Sequence, residues 1–134
     1  MTFPKHAFPI IGAQYPGAVV LAGSFLCDGA NKPSIVFPQK RAKFDVSAPS
    51  PTGVYTVTLS DGPIVSVVAP FAALVDPDPA STRRAFMGSQ ANLSSDGTFQ
   101  IVTQSTAGTA ANIAGAALCV VTFVLWLSDS TLVR

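Results

Sequence analysis

Between Ala107 and Leu127 the chain carries no charged side chain, a length sufficient to cross a bilayer as a helix. The two halves of this stretch differ in kind. Ala107 to Ala117 consists mostly of Ala, Gly, Thr and Asn, a poor lipid anchor and good material for a loop or short helix. Val120-Val121-Thr122-Phe123-Val124-Leu125-Trp126-Leu127 is β-branched and aromatic and has the length of one core strand. The stretch therefore reads as a loop feeding a strand, Cys119 to Leu127, apolar on both faces except at Thr122. Such a strand belongs in the wall of a sandwich or barrel covered on both sides.

Composition agrees with strands. The chain is 49% hydrophobic and only 11% charged, against roughly a quarter charged in ordinary soluble domains. All its acidic residues are Asp, and Glu is absent. Long charged side chains solvate exposed helices and form their i,i+4 pairs, so their scarcity argues against helices on the outside. Eleven Pro and ten Gly fall mostly between apolar runs, where they act as turns. At 134 residues the chain is sized for one domain with a real core.

Met1 to Pro16 holds three prolines and little periodicity, and is read as an extended arm ahead of a single β domain, 17–134. Its apolar stretch is too short and too interrupted for an export signal. The domain opens with a long strand candidate, Ala18 to Cys27, in which Gly23 marks a bulge or a close approach. Short or edge strands at Ile35 to Phe37 and Ala42 to Val46 are bounded by prolines, which cannot donate to a sheet ladder. Gly53 to Ser60 alternates cleanly, with Tyr55, Val57 and Leu59 on a dry face and Thr56 and Thr58 on a wet one. Asp61-Gly62 followed by Ile64 to Ala69 predicts a hairpin over Gly53 to Ala69, closed by Pro70. Val75 to Pro79 reads as a stiff loop, Arg83 to Ala91 as resumed structure, and Thr98 to Gln104 as a further alternating strand. The fold expected is all-β: an antiparallel β-sandwich or jelly-roll-like barrel of about seven or eight strands with an extended N-terminal arm.

Residues able to do chemistry are few. Nucleophilic catalysis of the Ser-His-Asp or Cys-His kind needs a base, and the single histidine, His6, lies in the arm. Most Asp residues sit in turn contexts such as Asp28-Gly29, Asp61-Gly62 and Asp96-Gly97, which turn formation explains. Asp76 and Asp78 share a loop but lack the further ligands that calcium requires. No phosphate loop, Cys-x-x-Cys or His-Glu-x-x-His pattern occurs. Cys27 and Cys119 sit in apolar runs and read as buried, reduced thiols. The chain is therefore expected not to be an enzyme and to need no cofactor or metal.

A net charge of +1 offers no field to attract nucleic acid or an anionic membrane. It also gives little repulsion between copies, so self-association is expected. Two small basic groups, Lys40-Arg41 with Lys43 and Arg83-Arg84, are the candidate partner contacts.

Four strand segments carry a resemblance: Gly-Ser-Phe-Leu-Cys-Asp-Gly-Ala at 23–30, Gly-Val-Tyr-Thr-Val-Thr-Leu at 53–59, Gly-Thr-Phe-Gln-Ile-Val-Thr at 97–103 and Val-Thr-Phe-Val-Leu-Trp-Leu-Ser-Asp-Ser at 121–130. Taken together they resemble small virion proteins of tailed bacteriophages, most nearly capsid decoration or cement proteins. Where that family tends to show Arg-Asn-Ser-Ser, this chain has Ser128-Asp129-Ser130-Thr131. The resemblance implies a homo-oligomer, dimer or trimer, made in the host cytoplasm. It would bind the outer surface of a phage shell between major capsid protein subunits, touching neither nucleic acid nor membrane. The alternative it leaves is a host-surface, glycan-binding domain of a tail fibre or spike.

Overall fold

The computed structural model describes residues 19–38, 43–60, 62, 67–106 and 108–127. The expected arm, Met1 to Pro16, lies outside the described residues, as do Lys40 and Arg41. Among the described residues nine strands form two antiparallel sheets that face each other as a sandwich. They are β1 (Val19–Leu26), β2 (Val36–Phe37), β3 (Phe44–Val46), β4 (Val54–Leu59), β5 (Val67–Val75), β6 (Arg84–Met87), β7 (Thr98–Thr106), β8 (Thr109–Ala110) and β9 (Val120–Leu127). The first sheet runs β2-β1-β9-β5; the second runs β3-β4-β7-β6, with β8 paired to β7. Helix among the described residues is confined to α1 (Leu93–Asp96) and a 3-10 turn at Gly115–Ala117. Among the described residues no helix is long and apolar enough to cross a membrane.

Period-two patterning places the core as the sequence suggests. Tyr55, Val57 and Leu59 of β4 are buried, Thr58 is exposed and Thr56 lies between. Phe99, Ile101 and Thr103 share the inner face of β7, and Val121, Phe123 and Leu125 that of β9. Phe123 joins the two sheets, meeting Phe44 of β3 edge-on at 4.9 Å and Phe99 of β7 at 5.3 Å between ring centroids. Gly23 stands opposite Phe123 in an unbroken β1–β9 register, so it marks a close approach and not a bulge. A Cβ there would collide with the rings of Phe44 and Phe123.

One buried polar group anchors the end of the second sheet. Thr103 Oγ1 donates to the Ala111 carbonyl at 2.7 Å, and the Thr103 amide donates to the Gly53 carbonyl at 2.8 Å. The Gly53 amide in turn donates to Asn112 Oδ1 at 2.7 Å. Gly53 has φ +75°, and a Cβ would lie 2.6 Å from the Ala111 amide nitrogen, so this corner requires glycine on both counts.

The expected hairpin over Gly53 to Ala69 does not form. β4 pairs with β3 and β7, whereas β5 pairs with β9 in the opposite sheet. Gly62, with φ +80°, does turn the chain, and its amide donates to the Leu59 carbonyl at 3.1 Å. The turn hands the chain across the sandwich. Asp-Gly states that the backbone reverses, but the partner of the next strand is chosen by which faces need covering. Pro70 likewise does not end a strand; it lies inside β5, an edge strand, where a missing amide hydrogen is tolerated.

Candidate functional site

In a sandwich each sheet has one face in the core and one outside. The second sheet dresses its outer face conventionally: Asp45, Thr56, Thr58, Thr98, Gln100, Gln104 and Arg84 project there beside Val54, Val102 and Phe86. The first sheet does not. On its outer face β1 presents Val20, Ala22, Ser24 and Leu26, and β9 presents Val120, Thr122, Val124 and Trp126. β5 adds Ala69, Phe71, Ala73 and Val75, and β2 adds Phe37. None of these residues is charged. Their two hydroxyls satisfy each other, with Ser24 Oγ and Thr122 Oγ1 3.0 Å apart.

This face is open to solvent. Phe71 is 59% exposed, Val75 60%, Val20 48% and Phe37 44%. Val120, Val124 and Trp126 are half-buried by their neighbours in the sheet. Among the described residues, the covering of β9 on both sides that its sequence predicts is thus supplied on the inner side alone. Three long strands at ~4.8 Å spacing and about eight residues long give a patch of roughly 400 Å² in outline. Apolar patches of that order are the largest found on typical monomers and are commonly functional.

A small hollow of about 170 Å³ adjoins the face, lined by Val20, Leu21, Ala22, Pro38, Lys43, Phe44, Leu59 and Phe123. It is smaller than the roughly 300–1,000 Å³ of sites that hold cofactors or drug-sized ligands, and suits a single apolar side chain.

The basic residues singled out from sequence do not form one patch. Lys43 precedes β3 and Arg84 opens β6, and these strands are the two opposite edges of the second sheet. Both side chains are exposed. Arg83 is engaged within the molecule: Nε reaches Asp76 Oδ2 at 2.8 Å and a terminal nitrogen reaches Oδ1 at 3.2 Å. The guanidinium holds the Asp76 carboxyl well below the usual carboxylate range, helped by Ser81 and the Asp78 amide. Asp76 is therefore tied up by Arg83, and no three His, Cys, Asp or Glu side chains among the described residues group as metal ligands.

Beneath the same end of the sandwich lie the two cysteines. Both are free, fully buried and inward-facing. The Cys27 amide donates to the Cys119 carbonyl at 3.0 Å, which continues the β1–β9 ladder by one rung. Burial pushes the Cys27 thiol up to about 11, and the Cys119 thiol also rises. The Tyr55 hydroxyl, buried beside Cys27, has no hydrogen-bond partner by distance and angle among the described residues. Burial raises its pKa as well.

The residues of the apolar face were not singled out from sequence, yet a signal was present. β1, β5 and β9 are each apolar at successive positions, and a two-sheet sandwich can bury only one side of each. Comparison with protein-family models, curated proteins and solved structures finds no match.

Proposed function

We propose that this chain is a structural protein that attaches to another protein through the apolar outer face of its first sheet. In the setting implied by its resemblance to phage virion proteins, it is a decoration protein seated on a capsid surface between major capsid protein subunits. The observation that carries this reading is the uncharged face of β1, β9 and β5. Exposed apolar surface costs about 25 cal/mol per Å² relative to burial, a cost that a partner relieves.

A patch of roughly 400 Å² is about half of what each partner contributes to a standard stable complex. Rim elements must therefore add to it, and the proline-rich arm and the Lys40 to Lys43 segment are the candidates from sequence, whereas Arg84 projects from the opposite outer face. Modest contacts repeated over a lattice of identical sites suit a protein present in many copies. The glycan-binding alternative fares less well. Sugar recognition needs hydrogen-bonding groups beside a stacking ring, and around Phe71 and Trp126 the face offers only Ser24 and Thr122, which are bonded to each other.

The test is the copy number of this chain in purified particles of the phage that encodes it, measured by quantitative mass spectrometry against the major capsid protein. Decoration predicts hundreds of copies, in a fixed ratio to capsid subunits. A handful confined to the tail would overturn the reading in favour of a fibre domain.

A further inference from the structure

The chain has two cysteines, and the fold brings them from positions 27 and 119 together, each one residue beyond the paired ends of β1 and β9. The rung before them pairs Leu26 with Val120. The Cys27 amide donates to the Cys119 carbonyl at 3.0 Å, in register with that rung, and facing residues of an antiparallel pair have Cα atoms about 4.5–5.5 Å apart. Disulfides span roughly 4.4–6.8 Å between Cα atoms, most often about 5.5–6 Å. Both side chains also point the same way, into the core, as the alternation Phe25, Cys27 and Cys119, Val121 requires.

We propose that Cys27 and Cys119 are a site of reversible oxidation, closing a cross-strand disulfide by exchange with a small-molecule disulfide such as oxidised glutathione. The thiolate of one cysteine attacks a sulfur of the small disulfide; a protein–sulfur bond forms and one small thiolate leaves. The second cysteine loses its proton and attacks the protein sulfur of that mixed disulfide, forming the Sγ–Sγ bond and expelling the second small thiolate. Two cysteine thiols are oxidised, one small disulfide is reduced to two thiols, and no other co-reactant is needed.

The location sets the rate and the consequence. The pair lies one rung beyond the ends of β1 and β9, where the chain leaves the ladder for the Asp28 turn and the 3-10 turn at Gly115–Ala117. Burial, which also raises both thiol pKa values and so depletes the thiolate, makes exchange slow in the closed sandwich, so closure follows opening of that end or occurs during folding. Once closed, the bond ties the strand that begins the sandwich to the strand that ends it, a long loop of the kind that raises stability most. A chain folded in a reducing cytosol stays reduced; one that meets an oxidising exterior is stapled. This inference does not depend on the identity of the partner.

The test starts from the purified full chain in two forms, reduced and oxidatively refolded, each equilibrated in glutathione buffers of graded ratio. Non-reducing peptide mapping should find a peptide linking Cys27 to Cys119 with a loss of two hydrogens, approached from both directions. The melting temperature should rise by about 5–10 °C in the oxidised form, with no rise in Cys27→Ser or, should that variant fold poorly, Cys27→Ala or Cys119→Ala. Reduced thiols persisting from both starting forms across the series would overturn the proposal, as would glutathione adducts or intermolecular links without the intramolecular bond.

Discussion

Tyr55 illustrates how a single side chain can be fixed by its apolar body and not by its polar end. Its ring is wholly buried and tilts against Phe25 at 4.9 Å between centroids, while its hydroxyl has no nitrogen or oxygen partner among the described residues. An unpaired buried hydroxyl costs about 1–3 kcal/mol, so Tyr55→Phe should leave the fold intact and be neutral or stabilising in chemical denaturation. A loss above about 1 kcal/mol would mean that the hydroxyl is bonded. Cys27 beside it makes stability depend on alkaline pH. Burial pushes its thiol up from the usual value near 9 to about 11, so the folded state holds that proton more tightly. The associated stability is complete below pH 9 and lost as pH rises through 11, a difference on the order of 2–3 kcal/mol. Denaturation midpoints should fall across that window, with Tyr55 adding to the slope in the same direction, and the fall should be shallower in Cys27→Ala. An equal slope in that variant would remove Cys27 as a cause.

At the scale of elements, most strands were legible because period-two burial writes itself directly into the residues. Tyr55-Thr56-Val57-Thr58-Leu59 can satisfy a half-wet sheet in only one orientation, and Phe99, Ile101 and Thr103 follow the same rule. Pairing was less legible. Asp61-Gly62 marks a reversal, but β4 finds β3 and β7 while β5 crosses to β9, since two-sided apolar strands collect in one sheet and alternating strands in the other. That sorting is a long-range outcome, and no local turn encodes it. The candidate site shows the same limit. Lys43, Arg83 and Arg84 could be picked out as rare charges, but the Asp76 partner of Arg83 and the separation of Lys43 from Arg84 come only from the fold. The apolar face was half visible: β9 announced that both its sides wanted cover, and the structure shows which side the described residues leave uncovered.

The whole molecule is a sandwich with one polar outer face and one apolar one, carrying a net charge of only +1. Weak overall charge does little to keep copies or partners away, and the asymmetry between faces directs contact to the first sheet. If that sheet is the docking surface, a charge placed on it should abolish attachment without unfolding the domain. Phe71 suits the substitution, being 59% exposed on β5, and Thr58, exposed on the opposite outer face, supplies the control. For the proposed decoration role the decisive measurement is co-sedimentation of purified Phe71→Asp, Thr58→Asp and unmodified chain with phage capsids prepared without this protein, each variant first shown by its melting temperature to be folded. The unmodified chain and Thr58→Asp should saturate the particles alike, and Phe71→Asp should lose at least tenfold in affinity, since binding would bury an unpaired carboxylate. Equal saturation by all three would contradict the account, because the apolar face would then not be where this protein binds.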